Sequence, residues 1–255
     1  MIILAIGDVV GSVGLTIAER HIRALKTQFC ADFVIANGEN LAAAGFLPEQ
    51  ADRLLAAGAD CVTLGNHAFA KKESFVYLDD NRYLLRPANY AAHLPGRGIA
   101  VFDVGRERLA VVNLIGRCGM DFGPDNPFTA AERIIKEIDG QADAIIVDFH
   151  AEATSEKTAM AHMLAGRVSA VFGTHTHVQT ADARIINGTG YITDIGMTGA
   201  YESVIGVEVA SSIEYFLSGA IKRYKSADGA GILCGAAFTI EAGRCVDVTP
   251  VRVGP

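Results

Sequence analysis

Short apolar runs recur along the first two-thirds of the chain and alternate with segments that carry apolar residues at helical spacing. Runs of this kind, bounded by polar residues, predict buried strands. Helices are predicted from Ser12 to Gln28 and from Pro48 to Ala57, the second with proline at its start and Gly58 at its C-cap. The predicted strands lie at residues 2–6, 33–36, 61–64, 144–149 and 168–172.

The later segments complete the prediction of fold class. Two hairpin strands are expected around Gly105-Arg106-Glu107, and the C-terminal part is β-rich, with turns at Asn187-Gly188 and Ala242-Gly243. Two packed sheets flanked by helices satisfy these segments, so we expect an α/β fold. The additional strands are predicted at 98–104, 108–113, 185–193, 231–240 and 245–251, and the additional helices at 129–138 and 155–165.

Each of the five buried runs ends in side chains that bind metals. Asp8 follows the first, Asn37-Gly38-Glu39-Asn40 the second, Gly65-Asn66-His67 the third and His150 the fourth. The fifth ends in Gly173-Thr174-His175-Thr176-His177, whose two histidines would point the same way on an extended chain. Open α/β sheets place ligand sites at the carboxyl ends of their strands. The pattern therefore predicts a metal site at this edge.

Each strand end also has an ordinary explanation when it is taken alone. Asn37-Gly38 is a common turn dipeptide, and Gly65-Asn66-His67 could be a tight turn. Asp8 could cap the helix that begins near Ser12, and His150 could be a buried core histidine. A functional site is favoured because all five ends supply donors of the metal-ligand type.

The order of these motifs carries a resemblance. From residue 7 to residue 177 they resemble the calcineurin-like metallophosphoesterases, although Val10 stands where that superfamily has a histidine and Glu39 where it has a bridging aspartate. With the blocks at 86–90, 148–157 and 192–199, nearly the whole chain resembles the YmdB-type branch of bacterial metallophosphodiesterases. The resemblance implies a four-layer α-β-β-α sandwich of two mixed sheets flanked by helices.

The resemblance also implies a dinuclear metal centre. Glu39 would bridge both ions, and His67 would stay off the metals and face the substrate. Asn40 would replace the missing histidine of the first strand, although its side chain could equally cap a turn. The other ligands would form two sets, which are Asp8, Asn40 and His177 for one ion and Asn66, His150 and His175 for the other. The ions would be divalent or mixed-valence, with iron or manganese favoured and zinc also compatible with such nitrogen and oxygen ligands.

The donor count agrees with phosphoester chemistry. Seven side chains with one bridging give about four protein bonds per ion, and a shared hydroxide leaves one octahedral position on each ion for a phosphate oxygen. We expect in-line attack on phosphorus by the bridging hydroxide. A protonated His67 would donate a proton to the leaving alkoxide or stabilise charge on the phosphoryl oxygens. The expected activity is metal-dependent hydrolysis of cyclic nucleotides or other small phosphodiesters.

Two other functions stay open. The same dinuclear centre could serve a phosphomonoesterase or nucleotidase, or the chain could be a regulatory metal- and nucleotide-binding protein with incidental turnover. A dinucleotide-binding fingerprint is not supported, because Gly7-Asp8-Val9-Val10-Gly11-Ser12-Val13-Gly14 lacks the G-x-G-x-x-G pattern.

Composition limits the partners and the location. With 255 residues, of which 50% are hydrophobic, residues 1–255 are expected to form one domain. The net charge of −7 argues against broad binding to nucleic-acid backbone. The five cysteines form no C-x-x-C pair, so neither a disulfide framework nor a thiolate metal site is expected. No basic leader or transmembrane run is evident, and we therefore expect a cytoplasmic protein. The oligomeric state stays open, and a homo-oligomer is possible.

Supporting residues and one loop are less defined by the sequence. Metal-bound histidines usually need a partner for their second nitrogen. Candidates for that role, from their position in the sequence, are Asp148, Asp194, Asn113, Thr174 and Thr176. The segment from Gly116 to Pro127 is rich in glycine and proline and is expected to run over the surface, either beside the site or as an ordinary connection.

Overall fold

Two mixed β-sheets pack face to face, and helices cover their outer faces. The computed structural model describes residues 1–120, 123–219 and 225–255. The helices are α1 (Gly11–Gln28), α2 (Pro48–Ala56), α3 (Glu73–Asp80), α4 (Pro127–Glu137), α5 (Thr154–Leu164) and α6 (Val209–Ser218). The strands are β1 (Ile2–Ile6), β2 (Asp8–Val9), β3 (Phe33–Asn37), β4 (Cys61–Thr63), β5 (Leu84–Leu85), β6 (Ile99–Val104), β7 (Glu107–Ile115), β8 (Ala144–His150), β9 (Ala170–Thr174), β10 (Arg184–Ile186), β11 (Thr189–Ile192), β12 (Met197–Ala200), β13 (Gly231–Glu241) and β14 (Arg244–Val253).

The strand order explains how distant segments reach one edge. Within the described residues, the first sheet has the order β2-β12-β13-β1-β3-β4-β5, with β14 also paired to β13. The second sheet has the order β10-β11-β9-β8-β7-β6. Strands β1, β3 and β4 run parallel to one another, as do β7, β8 and β9. The carboxyl ends of each parallel set therefore lie together, which is where open α/β sheets bind ligands.

Apolar residues on alternating faces of the strands build the layers. In β1, Ile3 and Ala5 face the second sheet, while Leu4 and Ile6 face the helices. Both faces of the strand are thus buried, which explains its uninterrupted apolar sequence. Leu15 and Ile22 of α1 cover the first sheet. The second sheet is covered by side chains of α4 and α5, among them Ala131, Ile134, Met160 and Leu164. This arrangement confirms the predicted four-layer sandwich.

The long elements match the predicted ones within a few residues. The predicted strand at 185–193 is divided into β10 and β11 by the expected turn, where Asn187 and Gly188 have φ of 49° and 82°. No element was predicted from the sequence at the positions of α3, α6, β2, β5 or β12. None of the described helices combines the length and the apolar character needed to cross a membrane.

Candidate metal centre

The predicted polar strand ends meet at one edge of the sandwich. Asp8, Glu39 and His150 are fully buried there, and Asn40 is 5% exposed. Gly65 makes room for this approach, because a Cβ at that position would lie 2.2 Å from Glu39 Oε2 and 2.3 Å from His150 Nε2. The helix α1 begins at Gly11 after Val10, without a side-chain cap, so Asp8 does not serve as its N-cap. The carboxylate is directed into the cluster instead.

One half of the cluster surrounds His150. Its Nε2 lies 3.2 Å from Glu39 Oε1, 3.0 Å from Asn66 Oδ1 and 3.1 Å from His175 Nδ1. Glu39, His150 and His175 place their donor atoms within 4.8 Å of one another, a spacing at which three side chains can hold a metal ion. The predicted set of Asn66, His150 and His175 is therefore brought together around Glu39.

The other half surrounds His177. Its Nε2 lies 3.8 Å from Asp8 Oδ1 and 3.2 Å from Asn40 Nδ2, and the same Asn40 amide donates to Glu39 Oε1 at 3.0 Å. Glu39 thus contacts both halves. Asp8 Oδ1 is one of the described buried oxygens without a hydrogen-bond partner, while its Oδ2 accepts the backbone N–H of His175 at 3.1 Å. An unpartnered buried carboxylate oxygen fits a cation ligand, because a buried charge needs compensation.

His67 lies between the two halves but nearer to solvent. Its Nδ1 is 3.2 Å from Asn40 Oδ1 and 3.5 Å from Glu39 Oε1, and its side chain is 36% exposed. Its neighbour Asn66 faces His150. The adjacent residues therefore diverge as expected, and His67 lines the cavity above the cluster.

The histidines at 175 and 177 are not on an extended strand, as the sequence analysis assumed. Strand β9 ends at Thr174, and His175 and His177 have φ of 93° and 63°. The assumption of two same-sided imidazoles on extended chain is therefore wrong. The left-handed turns send His175 to one half of the cluster and His177 to the other. Such backbone is strained for residues other than glycine and is held by its surroundings.

In His150, His175 and His177, one ring nitrogen points away from the cluster and contacts an oxygen atom. This outer nitrogen is thereby fixed, and the other, inner nitrogen faces the cluster. Thr174 Oγ1 donates to Asp148 Oδ1 at 2.8 Å, so it accepts from His150 Nδ1 at 2.9 Å. His177 Nδ1 donates to the carbonyl of Ile205 at 2.9 Å, because a carbonyl can only accept. His175 Nε2 lies 3.1 Å from a carboxylate oxygen of Glu152. In the neutral imidazoles the inner nitrogen then carries the lone pair that can bind a metal, as in known metal-histidine sites.

The buried charges shift one another's pKa values. Burial raises the pKa of Asp8. Burial also opposes ionisation of Glu39, but His150 and His67 hold its pKa well below the usual range. Burial lowers the pKa of His150, and the carboxylates of Glu39, Asp8 and Asp148 outweigh it and raise the value to about 9. Burial and the neighbouring His150 lower the pKa of His175 to about 3. The carboxylates thus strongly favour nearby positive charge.

The five predicted supporting residues lie at different distances from the histidines. Thr174 contacts His150 directly, and Thr176 lies in the loop between His175 and His177. Asp148 acts on His150 through Thr174, and Asp194 Oδ2 accepts the N–H of Thr176 at 3.2 Å and its hydroxyl at 2.6 Å. Asn113 instead donates to the carbonyls of Leu64 and Leu85, which joins the two sheets behind the cluster.

Three supporting residues were missed by the sequence analysis. Asn37 donates to Asp148 Oδ2 at 3.3 Å and accepts the backbone N–H of Glu39 at 3.2 Å. Lys157 is 1% exposed and donates to Asp194 at 2.8 Å, and Glu152 contacts His175. Lys157 and Glu152 stand in one of the blocks that carry the resemblance, which is the signal that could have identified them.

A cavity of about 700 Å³ opens above the cluster. Glu39, Asn40, His67, His175 and His177 form its floor. Its other walls are largely apolar and come from residues 42–44, residues 204–207 and α6. Within the segment predicted as a surface loop, Gly116 to Pro127, the described residues do not line this cavity; Asp121 and Phe122 lie outside the described residues.

Known proteins that are similar to this chain include phosphodiesterases and phosphatases. Residues 4–251 match the family model described as YmdB-like protein. A 2′,3′-cyclic-nucleotide 2′-phosphodiesterase from Bacillus subtilis is 45% identical over 94% of this chain and 92% of its own length. A putative phosphatase/phosphodiesterase from Mycoplasma pneumoniae is 36% identical over 92% of this chain and 86% of its own. A crystal structure of a hypothetical protein from Thermus thermophilus superposes with a TM-score of 0.94 at 42% identity, over 100% of this chain and 99% of that one.

Proposed function

This chain belongs to the YmdB-like protein family, and on that premise we propose that it is a metal-dependent phosphodiesterase of cyclic nucleotides or other small phosphodiesters. The observation that carries the proposal is the set of three imidazoles whose outer nitrogens are each engaged by an oxygen. Their inner nitrogens face Glu39, Asp8 and one another. Such a set of nitrogen and oxygen donors suits two divalent ions.

The proposed ligand sets follow the two halves of the cluster. Glu39 contacts His150 on one side and Asn40 on the other, so it would be a ligand of both ions. The amide of Asn40 turns its Nδ2 toward Glu39 and His177, and a rotation of the amide would present Oδ1 to an ion. The first ion would be held by Asp8, Glu39, Asn40 and His177, and the second by Glu39, Asn66, His150 and His175. We expect iron or manganese, as the resemblance implies, and zinc is also compatible with nitrogen and oxygen donors.

The protein's own groups divide the chemistry between them. Two divalent ions held there would supply positive charge that neutralises the phosphate and lowers the pKa of a bound water. Glu39 and Asp8 fix the position of that charge from fully buried carboxylates. His67 lines the cavity and contacts Asn40, so a protonated imidazole there can deliver its proton to the leaving oxygen.

The proposed substrate is a nucleoside 2′,3′-cyclic phosphate, the substrate named for the Bacillus subtilis relative. Water adds across one P–O bond, which opens the five-membered ring and leaves a nucleoside monophosphate. His67 protonates the ribose oxygen that departs. If the 2′-oxygen departs, as the name of that relative states, the product is the 3′-phosphate.

A phosphomonoesterase activity is the second candidate, because a Mycoplasma pneumoniae relative is named phosphatase/phosphodiesterase. Its centre would be the same, and only the substrate would differ. A regulatory binder with incidental turnover is the third candidate. In that role, a folded but inactive variant would rescue the phenotype of a strain that lacks the protein.

Rates on matched substrates test these candidates. The protein, reconstituted with manganese or iron, is assayed on adenosine 2′,3′-cyclic phosphate and on adenosine 3′-monophosphate. Glu39→Gln serves as the inactive control, since a neutral amide cannot bridge two cations as a carboxylate does. We expect fast ring opening and slow release of inorganic phosphate. Faster turnover of the monoester would make the chain a phosphomonoesterase, and equal rates in the wild type and Glu39→Gln would refute the metal mechanism.

A further inference from the structure

The wall of the cavity beside His177 contains an unusual turn. Residues 204–207 form this turn, and the Ser203 hydroxyl accepts the N–H of Gly206 at 2.9 Å. Ile205 has a φ of 48°, which is rarely adopted by a β-branched residue. A strained residue of this kind persists only where its surroundings hold it, and such residues cluster at functional sites.

Two contacts hold the turn against the metal centre. The carbonyl of Ile205 accepts the Nδ1–H of His177 at 2.9 Å. Gly206 lies so close to Val10 that an added Cβ would be 2.6 Å from Val10 Cγ1. Val10 is the residue that stands where the wider superfamily has a ligand histidine. The turn thus packs against the residue that stands in place of that histidine, and it brings an apolar side chain next to the cluster.

Residues of α6 extend this wall of the cavity. Val204, Ile205 and Val207 line the cavity together with Tyr215 and Phe216, whose rings lie 5.2 Å apart. Ile205 is 49% exposed and Phe216 is 78% exposed. Few large apolar side chains of the described chain are as exposed as Phe216, and here it borders the cavity that holds the candidate metal ligands. Exposed aromatic surface beside a polar site indicates a ligand with both an apolar and an anionic part.

We propose that this wall, formed by Ile205, Val207, Tyr215 and Phe216, is the subsite that binds the nucleobase of the substrate. The inference rests on the proposed function, because it takes the phosphate to lie on the metal centre. In a nucleoside cyclic phosphate the base lies across the ribose from the phosphate, so a phosphate at His177 directs the base toward the turn and α6. Aromatic side chains bind bases by stacking, irrespective of sequence.

The chemistry of the wall also defines its selectivity. Among the four side chains of the wall, the Tyr215 hydroxyl is the one hydrogen-bonding group, and the hydroxyls of Ser212 and Ser226 line the cavity nearby. A wall of this composition cannot read the edge of a base as a set of fixed donors and acceptors would. The subsite therefore accepts all four common bases and favours purines, which offer the larger surface for stacking.

The test compares a nucleotide with a cyclic phosphate that lacks a base. The ratio of kcat/KM for adenosine 2′,3′-cyclic phosphate over glycerol 1,2-cyclic phosphate is measured with the metal-loaded protein. Phe216→Ala should lower this ratio by roughly tenfold, the loss expected when a stacking aromatic is removed. Leu217→Ala is the matched control, because Leu217 is the neighbouring residue of α6, is 84% exposed and does not line the cavity. Its ratio should stay unchanged.

The outcomes separate this inference from the proposed function. If the wild type hydrolyses neither cyclic phosphate, the proposed function fails. If it hydrolyses both with equal kcat/KM, the diesterase stands and the base subsite is refuted. The subsite is also refuted if Phe216→Ala lowers both rates equally and alters the sedimentation of the protein, because the wall would then be a contact between copies of the chain. A second variant, Ile205→Gly, removes side chain and strain together and should lower the ratio in the same direction as Phe216→Ala.

Discussion

The ammonium of Lys157 lies 2.8 Å from the carboxylate of Asp194, and both side chains are buried, at 1% and 0% exposure. The same carboxylate accepts the N–H and the hydroxyl of Thr176. Thr176 stands between His175 and His177, the two histidines with positive φ. A buried ion pair therefore anchors the middle of the strained loop, and it holds the two candidate ligands apart so that each reaches its own half of the cluster.

Removing one member of this pair should weaken both the fold and the metal site. Lys157→Met leaves Asp194 buried without its cation, so we expect the free energy of unfolding to fall by about 3–5 kcal/mol. Metal affinity should fall about 10- to 100-fold, the usual effect of losing support behind a ligand. Chemical denaturation and titration with manganese measure the two effects.

Substitutions at Thr176 separate positioning from general stability. Thr176→Ser keeps the hydroxyl that Asp194 accepts and should retain metal affinity, whereas Thr176→Val removes it and should lose affinity in the direction of Lys157→Met. The positioning role is contradicted if Thr176→Val and Thr176→Ser bind manganese equally well. It is also contradicted if Lys157→Met loses stability but binds manganese like the wild type.

Gly65 should not tolerate even a methyl group. Its φ is not in the left-handed region, so Gly65→Ala carries no backbone penalty, but its Cβ would overlap Glu39 and His150. We expect loss of metal and of turnover. Gly105→Ala in the β6–β7 hairpin is the control, because its Cβ meets no atom within 4 Å. That control, at a φ of 62°, should lose about 1 kcal/mol of stability and keep its metal. Normal metal content in Gly65→Ala would show that the cluster is looser than described.

The sequence predicted the sandwich well because its buried strands and amphipathic helices have clear periodicity. It also identified the candidate ligands, since each follows an apolar run. The path of the chain after Thr174 was not predictable in the same way, because the positive φ values of His175 and His177 depend on Asp194 and Lys157, which lie elsewhere in the sequence. Helix α6 does carry apolar residues at helical spacing, Val209, Ile213 and Phe216, and this pattern was overlooked in the sequence. In the structure these side chains are exposed, and Ser212 is the buried residue of the helix.

Loss of a metal should follow from neutralising the shared carboxylate. Glu39 is fully buried, contacts both halves of the cluster, and could be replaced by the isosteric glutamine with little change in packing. Glu39→Gln should therefore fold normally, bind at least one metal fewer and lose nearly all turnover. Metal analysis by mass spectrometry, with the circular dichroism spectrum as control, makes the measurement. Wild-type stoichiometry and rate would remove Glu39 from the centre.

His67 should be dispensable for metal binding and needed for turnover. It contacts Asn40 and Glu39 but lies on the cavity side, 36% exposed, while Asn66 faces His150. His67→Ala should keep both metals and lower turnover of a cyclic nucleotide by roughly 10² to 10⁴, the range for a lost general acid. His162→Ala is the control, because His162 is an exposed residue of α5. Loss of one metal equivalent would contradict the position of His67 off the metals.

The leaving group decides which role His67 has. A ribose alkoxide is a poor leaving group and needs a proton, whereas nitrophenolate departs unaided. If His67 donates a proton, His67→Ala should reduce the rate on adenosine 2′,3′-cyclic phosphate far more than the rate on bis-nitrophenyl phosphate. If it stabilises charge on the phosphoryl oxygens, both rates should fall alike. Steady-state rates on both substrates, with metal content measured on the same samples, distinguish the two roles, and undiminished rates on both would remove His67 from catalysis.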